Sequence, residues 1–230
     1  MWHIKSTDVG TSFYTFICFL PNTHCNAPGN RALWQVGVQH RDLSVQNMMY
    51  KRIGGKIRGY LIDFDLANLA TDDSCNLDRT GILPFMALEL LQSVVPGGTP
   101  VFHTYAHDGE AVLWVVFWLC VQYQDGTRTS YTFQDWEMVD ADTCYTKKLK
   151  VLRKAREYPF TDSNKLLQEP IRKLLAKFRV RHEIQVQQDF KNCLEEQIYE
   201  ELMGIKVPVL DIDIDIGGWF DTCDKEIRPI

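Results

Sequence analysis

Hydrophobic and polar positions follow three rhythms along this chain. Between residues 45 and 65, two β-prone runs, VQNMMY and IRGYLIDF, flank KRIGGK, and a Gly-Gly pair between such runs predicts a hairpin. The run AVLWVVFWLCV at 111–121 is apolar on every side. That is the signature of a helix enclosed by other helices, and the run is short of the roughly 20 residues that cross a bilayer. Farther on the period becomes helical and one-sided. A helix is predicted from about Asp142 to Arg156, with the basic stretch KKLKVLRKAR at 147–156 as its solvated face. Leu167, Ile171, Leu174, Leu175 and Phe178 share one face of a next helix, with Pro170 in its first turn. Val186, Phe190, Leu194, Ile198 and Leu202 mark a last helix. The tail VLDIDIDIGGW at 209–219 alternates apolar and acidic residues, the pattern of a half-buried strand, and its aspartates are not spaced as an EF-hand loop.

The connections are read from composition. PNTHCNAPGN at 21–30 and the polar TDDSCNLDRT at 71–80 are loops, and PGGTPVFHTYAHD at 96–108 is an irregular connection ending at Asp108 as a helix N-cap. FYTFICFL at 13–20 is too short to span a membrane and is not followed by a small-residue cleavage pattern, so neither a signal peptide nor a membrane anchor is expected. A length of 230 residues with 45% apolar content suits one globular domain with a sizeable core. A net charge of -5, with no strongly basic face, argues against a nucleic-acid partner. Seven cysteines form no C-x-x-C pair and leave one over, which fits a reducing, cytoplasmic or nuclear compartment without a zinc site or disulfide framework.

The chemistry concentrates in HRDLSVQN at 40–47 and LIDFDLA at 61–67. Asp42, Asn47 and Asp63 have the types and order of a catalytic carboxylate and two oxygen ligands for magnesium in a phosphoryl-transfer site. A triphosphate needs its charge neutralised by metal, and the attacking hydroxyl needs a carboxylate to orient it and accept its proton. The hairpin would set Asn47 and Asp63 side by side on a cleft floor. His103 and His107 stand four apart, but the segment reads as a loop without a third ligand, so no metal site is assigned to them.

These motifs resemble those of protein kinases, most closely the fungal-type protein kinases, whose members carry Asp-Phe-Asp where most kinases carry Asp-Phe-Gly. RTGILPFMALELL at 79–91 looks like the end of an activation segment, with Glu89 as its closing acidic residue. HDGEAVLWVVFWLC at 107–120 resembles the buried helix at the centre of the large lobe, and Asp108 matches the Asp that steadies the catalytic loop from below. NRALWQVGV at 30–38 resembles the last turns of the helix leading into that loop.

The resemblance implies an α+β fold, a kinase-like large lobe over residues 30–205, mostly helical with a small β ribbon, between an unmatched leader (1–29) and a tail (206–230). It implies that Asp42 is the catalytic carboxylate, that Asn47 and Asp63 hold Mg2+ and with it ATP, and that a protein Ser/Thr substrate or a regulatory partner is engaged. Arg41 would read a phosphate placed on Thr71, Ser74 or Thr80 of the activation segment. His40 is expected to pack and hydrogen-bond within the loop, and Trp136 to lie in the core.

Several positions depart from the kinase pattern. Ser44 replaces the usual lysine of the catalytic loop, Ile82 the usual threonine after Gly81, and Asp65 the final glycine of Asp-Phe-Gly. Residues 1–39 contain neither G-x-G-x-x-G nor a V-A-I-K-like strand, so the small lobe is expected to be absent and the chain, as it stands, truncated and inactive. A pseudokinase or interaction module is the main alternative. A small-molecule phosphotransferase of the aminoglycoside or choline kinase kind shares H-x-D-x-x-x-x-N, but the 79–91 segment counts against it.

Overall fold

A helix that is apolar all round stabilises a fold only if other elements cover it on every side, and this requirement organises the molecule. The computed structural model describes residues 33, 36–53, 56–69, 81–95, 98 and 101–193. Among them are four α-helices and three two-stranded antiparallel sheets. In chain order the elements are β1 (Val38–Gln39), β2 (Met48–Ile53), β3 (Lys56–Leu61), β4 (Asn68–Leu69), α1 (Leu88–Val94), α2 (Tyr105–Gln122), β5 (Tyr123–Gln124), β6 (Thr127–Arg128), α3 (Ala141–Arg153) and α4 (Gln168–Cys193). The architecture is α+β, as the sequence predicts.

Helix α2 is the core. Leu113, Trp114, Val115, Phe117 and Cys120 are buried, and α1, α3 and α4 contribute Leu91, Val151, Ile171, Leu174 and Leu175 to the same cluster. Phe117 meets Trp114, Phe133, Tyr158 and Phe160 with ring centroids 5.5–6.3 Å apart, within the range of favourable aromatic pairing. Trp136 is buried as expected and stacks at a tilt on Phe133, 4.8 Å away.

The predicted hairpin forms. Strands β2 and β3 pair from Met48↔Leu61 to Ile53↔Lys56, so Gly54-Gly55 is a two-residue connection. A second hairpin, β5–β6, is closed by Asp125 (φ 45°) and Gly126 (φ 93°), whose left-handed backbones suit a primed turn. Asp125-Gly126 is the sequence signal for this turn.

Several expectations are corrected. Helix α2 starts at Tyr105 with Thr104 as its N-cap, so Asp108 lies in the first turn and is not the cap. The capping box is closed by His107, a residue assigned to a loop from sequence: its side chain accepts from the Thr104 N–H. The expected helix end over 30–38 includes Leu33, which is helical, while residues 30–32, 34 and 35 lie outside the described residues; a turn at 36–37 then leads into the strand Val38–Gln39, which pairs with Leu69 and Asn68. The two last helices are continuous from Gln168 to Cys193, since no Gly or Pro interrupts residues 171–193; Val180 and Val186 on the outer part are exposed, and Leu194, Ile198 and Leu202 lie outside the described residues. Helix α3 ends at Arg153 and gives way to a 3-10 turn at Ala155–Glu157. Finally, its basic stretch is not wholly solvated, because Lys148 is fully buried. Pro170 occupies the first turn of α4, as expected. The leader, the candidate phosphosites Thr71, Ser74 and Thr80, and the tail lie outside the described residues.

Candidate active site

Two strand pairings bracket the motif residues. Beyond Leu61, β3 runs on to Ile62, whose N–H bonds to the carbonyl of Asn47 at 3.0 Å. The hairpin thus brings the backbones of Asn47 and Asp63 side by side. On the other flank, β1 just before His40 pairs with β4 just after the Asp-Phe-Asp turn. The catalytic-loop candidate and the metal-site candidate are therefore tied together at both ends, and His40 ties them in the middle. Its buried ring reaches the Ile62 carbonyl at 3.1 Å and packs 4.7 Å from the ring of Phe64. This is the structural role expected of it.

Asp42 and Asn47 converge. The Asn47 amide Nδ2 donates both to the Asp42 carboxylate (2.8 Å) and to the Asp42 carbonyl (2.9 Å). This orientation leaves Oδ1, the kind of atom magnesium binds, as the other polar atom of Asn47. The Asp63 carboxylate is exposed and takes no hydrogen bond among the described residues. Backbone strain marks the same place. Arg41 (φ 67°) and Asp63 (φ 62°) are non-glycine residues in left-handed conformations, a costly state that concentrates at functional sites. Arg41 is half-buried. Asp65, in the turn that follows, is not among the left-handed residues.

Among the described residues no cluster of three His, Cys, Asp or Glu side chains could hold a metal by itself. Asn47 and Asp63 instead fit the incomplete oxygen set that magnesium takes when phosphate oxygens and water supply the rest.

Beneath the loop, the buried Asp108 carboxylate accepts from the backbone N–H of His40 at 3.3 Å and pairs with His103 Nε2 at 2.8 Å. His103 is itself buried, and its carbonyl accepts from the Gln39 amide at 3.4 Å. One wall of the cavity beside Arg41 and Asp42 is the strip 81–87. An added Cβ on Gly81 would lie 3.6 Å from Asp42 Oδ1 and 3.7 Å from the Arg41 carbonyl. The strip leads into α1, where Glu89 meets His107 Nε2 at 2.7 Å. That bond holds the Glu89 carboxyl below its ordinary value, against the opposing effect of burial.

Two positions differ from what kinase residues would do there. Ser44 is fully buried with its hydroxyl unpartnered among the described residues, so it does not stand in the cleft where a lysine would meet phosphate. Ile82 is half-buried and its carbonyl closes a turn by accepting from Phe85 N–H at 2.8 Å. Sequence reasoning missed the carboxylate partners of His103 and His107. Their i, i+4 spacing is the available signal, and it does not say which carboxylates face them.

No curated protein matches the chain. Residues 27–120, the span that carries the HRDLSVQN loop, the Asp-Phe-Asp turn, the strip and most of α2, match the family described as fungal protein kinase.

Proposed function

We propose that these residues carry the metal side and the acceptor side of a protein Ser/Thr kinase site that uses ATP with Mg2+. The observation that supports this most is the Asn47–Asp42 hydrogen bond, which fixes the Asp42 carboxylate against the Asn47 amide, on the backbone pairing that leads into the exposed Asp63. Asn47 and Asp63 would hold magnesium, which would neutralise phosphate charge. Asp42 would orient the acceptor hydroxyl and take its proton as the new P–O bond forms. Asp108 would keep the loop in place by fixing His40.

Phosphoryl transfer depends almost wholly on positioning and charge stabilisation. Residues 1–39 contain no G-x-G-x-x-G and no V-A-I-K-like strand, and Ser44 and Ile82 stand where a lysine and a threonine are usual. Each such contact is worth a few kcal/mol, and about 1.4 kcal/mol is tenfold in rate, so the 230 residues alone should be slower by many orders of magnitude. The inward-facing Ser44 favours a second reading, a pseudokinase that keeps the fold to engage a protein partner.

The test compares the 230-residue chain with the same chain joined to a small lobe that carries a glycine-rich loop and strand lysine. Incubation with Mg-ATP and a Ser/Thr substrate should label the substrate only with the joined protein, and Asp42→Asn or Asp63→Ala should abolish it. A joined protein that folds but transfers nothing favours the pseudokinase. Activity indifferent to Asp42→Asn would overturn the site assignment.

A further inference from the structure

Two side chains of α3 reach the wall of the cleft from behind. Cys144 and Lys148 lie one helical turn apart, on the face that α3 buries. The Cys144 thiol donates to the carbonyl of Leu83 at 3.4 Å, and the Lys148 ammonium donates to the carbonyl of Met86. Both carbonyls belong to the strip 81–87 that abuts Asp42.

Lys148 is fully buried, and its Nζ stands 4.7 Å from the centre of the Trp114 ring, a cation–π arrangement in a dry setting. The Trp114 indole donates to Glu110 at 2.9 Å, and the same Glu110 oxygen accepts the N–H of Leu88 at 3.0 Å. The strip and the start of α1 are thus held by consecutive polar contacts from α3 and α2.

A solvated lysine at this position would cost nothing, whereas a buried one must be desolvated. Its burial is therefore informative about what it touches. A hydrophobic residue could fill the same space beside Trp114, but it could not hold a backbone carbonyl.

We propose that Cys144 and Lys148 form a two-point clamp on the strip 81–87, with Lys148 as a positioning residue that sets the acceptor-side wall against Asp42. This rests on the kinase reading for its functional meaning. The clamp itself does not. It constrains where a peptide hydroxyl can sit relative to the Asp42 carboxylate, and it leaves the metal side of the cleft, built from Asn47 and Asp63, untouched.

The test is residue-level hydrogen exchange on the full 230-residue chain and its Lys148→Met variant, which keeps the volume and removes the donor. The amides of Phe85, Met86 and Leu88 should exchange about tenfold faster or more in the variant, while those at 113–120 stay unchanged. Unchanged exchange over 82–88, or an equal rise in both segments, would overturn the clamp. If Lys148→Met does not fold, Cys144→Ala decides: a rise confined to 82–86 supports the clamp, and none there refutes it. These readings hold whether or not the chain transfers phosphate. In a preparation that does, Lys148→Met should raise KM for the acceptor and leave KM for ATP unchanged, and an equal rise in both would count against positioning.

Discussion

The Nε2 of His107 lies 2.7 Å from the Glu89 carboxylate, while the Nδ1 of the same ring accepts the backbone N–H of Thr104 at 3.0 Å. An accepting Nδ1 carries no proton, so the ring is neutral and donates from Nε2. One imidazole therefore caps the central helix and ties the end of the cleft wall to it. Removing it should loosen both.

His107→Ala should accordingly cost more than Glu89→Ala: about 2–4 kcal/mol for a lost cap and a lost hydrogen bond, against about 1–2 kcal/mol for the bond alone. Urea unfolding of the two variants and their double mutant measures this. Equal costs, or strict additivity of the pair, would show that the two contacts are not joined through His107.

The Glu89 carboxyl also gives a pH dependence. Because His107 lowers its folded value below the ordinary 4.5, the stabilisation is complete above that pH and is lost as pH falls through the lowered value. Glu89→Gln should flatten the acid limb of the stability curve. An unchanged limb would mean that other carboxyls dominate it.

Burial pushes Lys148 the other way, from 10.5 down to about 8. Below about pH 8 the amine is protonated in both folded and unfolded chains and contributes no slope. Between about 8 and 10.5 the unfolded chain binds a proton that the folded one does not, so stability should rise with pH, by about 3 kcal/mol across the window. Lys148→Met should remove that rise. A wild-type curve that is flat or falling there, with no difference from the variant, contradicts the burial of this amine.

Asp108 accepts from His40 N–H and pairs with His103 while almost wholly buried. Asp108→Ala removes this carboxylate from both groups and should cost about 3–5 kcal/mol, whereas Asp108→Asn keeps an acceptor and should cost less. The comparison is read by urea unfolding, and an alanine variant within about 1 kcal/mol of wild type would remove Asp108 from its supporting role.

Core and periphery should separate cleanly. Phe117→Ala removes the ring shared by four aromatic neighbours and should cost about 3–5 kcal/mol; Val186→Ala, on the exposed part of α4, should stay within about 0.5 kcal/mol. A large effect at Val186 would reveal a covering partner.

The sequence by itself determined the local features. The Gly54-Gly55 signal between β-prone runs was enough for the β2–β3 hairpin, because a two-residue connection leaves few registers. The all-apolar 111–121 run was enough for the buried helix, because no one-sided packing satisfies it. The order of Asp42, Asn47 and Asp63 was enough to nominate a site. Only the tertiary structure decided which polar groups meet across the chain. The basic run of α3 reads as solvated, yet Met86, 62 residues away, takes Lys148 into the core. His103 and His107 look like a lone pair until Asp108 and Glu89 face them. Hydrophobic periodicity reports which face of an element is buried. A buried charge is stabilised by one particular partner, often on another element, and no local pattern encodes where that partner will stand.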